Sequence, residues 1–407
     1  MTIDLPRARA ETPGVGHVTH FNNAGAGLMP RPVLDAVTQH LQLEAERGGY
    51  EANDARLTEK ERTYAAIAQL IGAKPQEIAL VENATAAWLM AFHAMIRDFK
   101  PGDKIITVEA EYATSYISYL KAAKEQGLEI VVAPSDETGA VDTKALENLI
   151  DDRVKLISIT HVPTNGGLVN PAAEVGRIAR AAGVLYLLDA CQSAGQIPLD
   201  VEKIGCDALS VTGRKYLRGP RGTGFLFVRE DLIKDLEPPF LDLHAALWTG
   251  PETYEIAPTA KRFENWEFYT AGVIGLGVAV DYALDWGMDN IHTRIVGLAD
   301  HLRTSLSAIP DVTVRDIGTQ KCGITSFTKD GMPQLDIKAA LAKHDINVSV
   351  SGRRSTVLDM DRRGLSEVVR ASVHYYNDEA EVARLCEIVP EWPRSHPGRA
   401  PGDRDRQ

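Results

Sequence analysis

The chain has 407 residues and is 44% hydrophobic, enough for a substantial core in two domains, or in one large domain with a smaller partner. Lysine and arginine number 44 against 56 aspartate plus glutamate, and the formal net charge of -12 argues against phosphate-backbone binding, so no nucleic-acid partner is expected. The 4 cysteines, Cys191, Cys206, Cys322 and Cys386, form no CxxC pair and no His/Cys cluster at ligand spacing, so no metal is expected and reduced thiols are the simplest account.

The opening stretch MTIDLPRARAETPG has no apolar core for export, and no run approaches the roughly 18 apolar residues of a membrane span. No membrane association is expected, and the chain reads as cytoplasmic. In VENATAAWLM a short polar turn becomes a helix at about Ala84. Unpaired amides at such a start, with the Thr85 hydroxyl, suit an anion; the same Asn-Ala-Thr also makes an ordinary helix cap.

Apolar runs of strand length follow: KIITVEA (104–110), EIVVAP (129–134), KLISITHV (155–162), VLYLLDA (184–190), ALSVTG (208–213) and GTGFLFV (222–228). Helical segments SYISYLKAAKEQG, DTKALENLI and AAEVGRIARAAG lie between several of them. This alternation, with strands too apolar for a one-faced sheet, predicts an α/β fold with a mainly parallel sheet covered by helices on both sides. Functional groups then belong at the carboxyl ends of the strands.

The texture changes after Tyr269. TAGVIGLGVAVDYALDWG and NIHTRIVGLADHLRTSLSAI read as helices. GITSFT, INVSVS and VVRASVHYY read as strands, with QLDIKAALAKHD and NDEAEVARLCEIV as helices between and after them. The expected organisation is a large domain over 20–270, a smaller α/β domain from 1–19 and 271–392, and a disordered Pro/Gly/Arg/Asp-rich tail over 393–407. There is no internal repeat.

Two strand ends and the helix start carry groups that make sense together. Asp189 closes an apolar strand in LLDACQSAGQ, where a carboxylate is costly without a cationic or hydrogen-bonding partner. Gln192 can donate to a phenolate oxygen, or be an ordinary polar loop residue. Lys215 stands in SVTGRKYLRG after another strand, and most lysines are surface charges. An anion-binding helix start, a strand-end aspartate and a strand-end lysine are nevertheless the set that holds pyridoxal phosphate: phosphate on the helix, ring nitrogen on the carboxylate, aldehyde on the lysine.

With these residues the sequence resembles the class V aminotransferase family of fold-type I pyridoxal-phosphate enzymes. The resemblance runs from HFNNAGAGLMP through EYATS, HVPTNGGLVNP, LLDACQSAGQIPLDV, SVTGRKYLRGPRGTGFLFV and RFENWE to VVRASVHYYN. It implies a seven-stranded type of large-domain sheet and pyridoxal 5'-phosphate as cofactor. Lys215 matches the Schiff-base lysine, Asp189 the partner of the pyridine nitrogen and Gln192 the contact to the ring hydroxyl. Thr85, with the backbone at Ala84 and Ala86, matches the phosphate loop, Thr212 a second phosphate contact, and Arg370 the arginine that takes the substrate carboxylate. A homodimer with sites at the subunit interface is likewise implied.

The chain departs from the cysteine desulfurases in this family at three places. Tyr112 stands where they have a ring-stacking histidine; it can stack but cannot serve as an imidazole acid or base. Arg214 replaces a histidine before the lysine, a permanent cation for phosphate or substrate. The desulfurases carry a sulfur-accepting cysteine shortly before the C-terminal arginine, whereas SVSGRRSTVLDMDRRGLSEVVRAS has none. Cys322 begins a strand and reads as structural.

The resemblance therefore points to an amino-acid substrate and Cα carbanion chemistry. β-Elimination at the C–S bond of an S-substituted cysteine or its sulfoxide is favoured, from likeness to the C–S lyase and isopenicillin-epimerase-like branch. Transamination and epimerisation are the alternatives, and a catalytically silent cofactor-binding scaffold is the alternative of another class. Arg218, Arg221, Arg353 and Arg354 are further candidates for contacting a large or acidic substrate, or plain surface arginines.

Overall fold

The computed structural model describes residues 3–389; the expected tail at 393–407 lies outside the described residues. After a short strand β1 (Thr19–His20) come the strands of the main sheet: β2 (Ile78–Val81), β3 (Lys104–Val108), β4 (Glu129–Ala133), β5 (Val154–Thr160), β6 (Leu185–Asp189), β7 (Ala208–Thr212) and β8 (Gly224–Val228). They form a 7-stranded sheet in the order β2-β8-β7-β6-β5-β3-β4. β8 runs antiparallel to both neighbours, and the other pairings are parallel.

Alternation along the strands divides the sheet's two cores. Ile106, Ile157, Leu188, Phe225 and Phe227 face one side, with Ile67, Ile71 and Ile178 from helices Leu57–Ile71 and Ala172–Ala182. Ile105, Leu156, Leu187 and Leu226 face the other, against Trp88 and Phe92 of helix Ala84–Ile96 and Tyr119 of helix Ala113–Gln126. Burial on both faces explains why these strands read as continuous apolar runs.

A hairpin of β9 (Ala246–Gly250) and β10 (Thr253–Ile256) projects from this body. A second, 4-stranded sheet is built from β11 (Val312–Val314), β12 (Ile324–Lys329), β14 (Ser349–Gly352) and β15 (Glu367–Ser372), in the antiparallel order β11-β12-β15-β14. INVSVS, expected as one strand, splits because its halves take different partners. β13 (Ile346–Asn347) pairs parallel with β1, and β14 pairs with β15.

The core of this sheet joins both ends of the described chain, from Ala8 and Phe21 to Val369 and Leu385. Helix Thr270–Trp286 spans the two bodies: Val273, Leu276 and Val280 pack in the main core, and Tyr282, Ala283 and Trp286 in the second. No helix among the described residues is long and apolar enough to cross a membrane.

Candidate active site

Asp189 is the last residue of β6, Thr212 the last of β7 and Thr160 the last of β5, while helix Ala84–Ile96 starts just after β2. These strand ends open on one cavity of about 420 Å³, lined among others by Thr85, Tyr112, Asp189, Gln192, Arg214 and Lys215. Most of the residues singled out from the sequence thus meet at one place, at the carboxyl ends of the parallel strands.

The turn after β7 carries Lys215 into the cavity. Gly213 and Gly219 close it through Gly219 N–H to Gly213 O at 2.8 Å. Gly195, at φ +91°, lets the turn after β6 reach it, since a Cβ there would lie 2.4 Å from the carbonyl carbon of Tyr216. The N-terminal loop is clamped on the same turn: Gln192 Nε2 donates to Ala24 O at 3.1 Å, Arg214 Nη1 to Gly25 O, and Gly27 N–H to Arg214 O at 2.9 Å.

Asp189 is buried, and its Oδ1 accepts the Cys191 N–H at 2.8 Å. Burial holds its carboxyl above the ordinary range, opposed by the charge of Lys215 and by that hydrogen bond. Lys215 Nζ donates to Cys191 Sγ at 3.3 Å. Gln192 Oε1 is buried with no hydrogen-bond partner among the described residues, a cost that a donor entering the cavity would relieve.

At the helix start, Asn83 Oδ1 accepts the Ala86 N–H at 3.0 Å. The ordinary cap and the candidate anion site therefore coexist: Ala86 is capped and does not line the cavity, whereas Ala84 and Thr85 line it with first-turn amides that have no intrahelical acceptor. Thr212 and Arg214 lie on the same wall set.

Tyr112 lines the cavity, and its amide is held by the carboxylate of Glu111, 2.8 Å from Oε1. Glu111 also accepts from Thr160 Oγ1 at 2.5 Å and from Thr107 Oγ1 at 3.0 Å. Burial outweighs these bonds and raises its carboxyl to about 7, with a further upward push from Asp189. His161, next to Thr160, is buried with Nδ1 unpartnered among the described residues, and burial lowers its pKa to about 4. It is neutral near pH 7.

Arg370, on β15, does not itself line the cavity; it reaches Thr164, which does. Its guanidinium is buried, and burial lowers its pKa from the ordinary value. Arg218 is sealed between Thr12 Oγ1, Leu28 O and the Tyr375 hydroxyl, so it ties the chain ends to the lysine turn and cannot contact substrate. Arg353 pairs with Asp361.

The sequence reading did not single out Cys191, Thr164, Trp88, Glu111 or His161. For Glu111 the signal was an acidic residue just past an apolar strand, as with Asp189. Thr164 and Trp88 carry no such signal. Among the described residues, no group of 3 or more His, Cys, Asp and Glu side chains could hold a metal.

The donor set fits pyridoxal phosphate. An amine lines the same cavity as a buried carboxylate that has no ion-pair partner at bonding distance among the described residues, and an open helix start with a hydroxyl and an arginine can take a dianion.

Comparison with known proteins agrees. The family model Aminotransferase class-V matches residues 19–385. A probable cysteine desulfurase of Methanothermobacter thermautotrophicus is 29% identical over 390 residues, covering 94% of this chain and 96% of the relative. The apo structure of a cysteine desulfurase from Thermococcus onnurineus NA1 superposes with a TM-score of 0.90 at 27% identity, covering 96% and 98% of the two chains. The cystine C–S lyase C-DES, solved with its product cysteine persulfide, shares the fold with a TM-score of 0.84 at 24% identity over 94% and 99%. The match over nearly the whole chain and the residues gathered at the strand ends lead to one conclusion: this chain belongs to the class-V aminotransferase family and is a pyridoxal-phosphate-dependent enzyme.

Proposed function

We propose that the enzyme is a lyase that cleaves the C–S bond of an S-substituted cysteine or cysteine sulfoxide by β-elimination. Bound at Lys215, pyridoxal phosphate would supply an electron sink for negative charge at the substrate Cα. Thr85, the amides of Ala84 and Thr85, Thr212 and Arg214 would hold its phosphate, and Asp189 its ring nitrogen. Gln192 has an amide proton beyond the one given to Ala24 to offer a ring oxygen. Tyr112 would stack on the ring.

Arg370 anchors the substrate carboxylate, which fixes the Cα–H bond relative to the cavity. Lys215 lines the same cavity, and its amine would be the base that takes that proton. The Cα–H electron pair becomes the Cα=Cβ bond as the sulfur group departs with the Cβ–S pair and takes up a proton, yielding a thiol or sulfenic acid and 2-aminoacrylate. Hydrolysis then gives pyruvate and ammonia, with no protein nucleophile consumed.

The fold does not choose between desulfurase and lyase, since it occurs in both. The placement of the thiols carries the choice. Residues 349–372 contain no cysteine, and this segment is tied down by Ser351 and Thr356 hydrogen-bonded to Asn165. Of the 4 free cysteines only Cys191 lines the cavity, and burial raises its thiol pKa, against the effect of Lys215. A persulfide route needs a thiolate that these positions do not favour.

The test is product analysis with an S-alkyl-L-cysteine. Equimolar thiol, pyruvate and ammonia are expected; alanine would overturn the reading in favour of desulfuration, and a keto acid retaining sulfur in favour of transamination.

The reading includes a homodimer in the cytoplasm. Leu247, Trp248 and Tyr254 on the hairpin, with Phe240 and Leu243 before it, are exposed apolar side chains suited to a subunit contact, and reduced thiols suit that compartment. Light scattering that returns a monomer would remove the dimer.

A further inference from the structure

Helix Ala113–Gln126 starts at the cavity, as helix Ala84–Ile96 does, but without a cap. Its 14 residues follow Tyr112, whose side chain makes no capping hydrogen bond. The first helical bond runs from Tyr116 N–H to Tyr112 O at 3.1 Å, so the N–H groups of Ala113, Thr114 and Ser115 have no acceptor in the helix. The carboxylate just before the helix does not fill that role. Glu111 is spent on the Tyr112 N–H, Thr160 Oγ1 and Thr107 Oγ1.

Ser115 is the second sign of a ligand. It lines the cavity and is 3% exposed, yet its hydroxyl makes no hydrogen bond among the described residues. The oxygen is not sealed either, so it opens on the cavity. The Thr114 hydroxyl, on the same wall, also makes none among the described residues. A turn further on, Tyr119 donates to Ser158 Oγ of β5 at 2.8 Å and packs edge-on against Trp88 with ring centroids 5.5 Å apart, so this helix start is held fast on the sheet. Fixed donors without acceptors, facing one space, suit an oxygen-bearing group.

The cofactor phosphate is provided for at the other helix start. Tyr112, read as stacking on the cofactor ring, begins this helix, so the sulfur side of a substrate on that face would meet Thr114 and Ser115. A thioether sulfur is a weak acceptor, whereas the S–O oxygen of a sulfoxide carries partial negative charge and accepts strongly. In the elimination the Cα–H pair becomes the Cα=Cβ bond, and the Cβ–S pair leaves with sulfur as a sulfenate whose charge rests on oxygen. That oxygen ends protonated by the equivalent of the proton lost from Cα, so no oxidant or reductant is consumed. Donors aimed at the oxygen gain strength as the bond breaks.

Resting on the lyase reading of this site, we propose that the start of helix Ala113–Gln126 is a sulfoxide subsite: the hydroxyls of Thr114 and Ser115 donate to the S–O oxygen of the substrate. Cysteine sulfoxides, rather than thioether S-alkylcysteines, are then the preferred substrates.

The experiment follows pyruvate release by the holoenzyme from S-methyl-L-cysteine sulfoxide and from S-methyl-L-cysteine. A sulfenate leaves more readily than a thiolate in any case, so the diagnostic quantity is the sulfoxide-to-thioether ratio of kcat/KM in variant against wild type. Ser115→Ala should lower that ratio about 10- to 100-fold, the range for a lost hydrogen bond to a developing charge. Thr114→Val should lower it too, and makes the same test should the alanine protein not fold. Thr114→Ser should keep it.

An unchanged ratio, or an equal loss for both substrates, overturns the inference. So does weaker retention of the cofactor on dialysis of Ser115→Ala, which would assign the hydroxyl to the cofactor instead. Failure of the lyase reading shows differently, as no pyruvate from either substrate. The subsite is then tested by Kd, read from the change in cofactor absorbance on mixing: Ser115→Ala should bind the sulfoxide about fivefold more weakly with the thioether unaffected, and equal Kd values in variant and wild type defeat it.

Discussion

Lys215 Nζ lies 3.3 Å from Cys191 Sγ, and both line the cavity at the ends of β6 and β7. Cys191 follows Asp189 by two residues, so the turn that presents the carboxylate also presents the thiol to the amine. The other cysteines stand apart from this contact. Burial pushes the Cys206 thiol up to about 12 and those of Cys322 and Cys386 to about 11.

The amine is expected to be the attachment point of the cofactor. Borohydride reduction of the holoenzyme should fix the cofactor to the peptide containing Lys215. Lys215→Ala should abolish that label while leaving the fold intact by circular dichroism. A reduced adduct on another lysine would sink the assignment.

Burial holds Asp189 above its ordinary pKa, against the charge of Lys215 and the hydrogen bond from Cys191, so its charged form would gain from a further cationic partner. A protonated ring nitrogen would supply one. Asp189→Asn should keep the cofactor but slow exchange of the substrate Cα proton with deuterated solvent by about 10- to 100-fold, the loss expected for one buried charge-assisted hydrogen bond. Exchange at the wild-type rate would show that the carboxylate has another task.

Glu111 gives a pH signature. Its carboxyl titrates near 7 in the fold, against 4.5 ordinarily. Between those values the unfolded chain has released the proton that the folded chain retains, so this group makes stability fall as pH rises from about 4.5 to 7 and then level off. Glu111→Gln removes the titration. Urea unfolding at about pH 5 and about pH 8 should show the variant gaining on wild type by on the order of 3 kcal/mol at the higher pH. A gap that stays constant between the two pH values contradicts the buried acid.

The parts of the molecule legible in sequence share a physical cause. Five strands of the main sheet, β3 and β5 to β8, are buried on both faces and the edge strand β4 is half-buried, and their apolar runs announce all six. β2 escapes because Ile78–Val81 is only 4 residues long, and the hairpin β9–β10 because its residues are mostly exposed and its pattern is not that of a core strand. Helices Arg31–Arg47, Gly49–Ala55 and Leu57–Ile71 are likewise not singled out, since alanines and long polar side chains dilute their apolar stripes. In the cavity, Lys215, Asp189 and Thr85 are legible from their places at strand ends and a helix start. Thr164 is not, because its place depends on Arg370 arriving from a strand far along the chain.

The last expectation concerns the thiols. Elimination turns the Cα–H electron pair into a Cα=Cβ bond, lets sulfur leave with the Cβ–S pair and asks nothing of a protein nucleophile, whereas desulfuration transfers the sulfur to a thiolate. Cys191 is near enough to Lys215 to be suspected of that second role. Burial keeps its thiol raised, however, and Asp189 beside it adds to the effect, with only Lys215 and Arg214 opposing. A variant with Cys191, Cys206, Cys322 and Cys386 all replaced by alanine or serine is therefore expected to retain substantial turnover, within about tenfold of wild type, with pyruvate still the product. Because Cys206 and Cys322 are buried and their loss can unfold the chain, Cys191→Ala alone is the companion measurement. Loss of turnover in Cys191→Ala, with cofactor absorbance and fold preserved, would install that thiol as a sulfur acceptor and replace the lyase by a desulfurase.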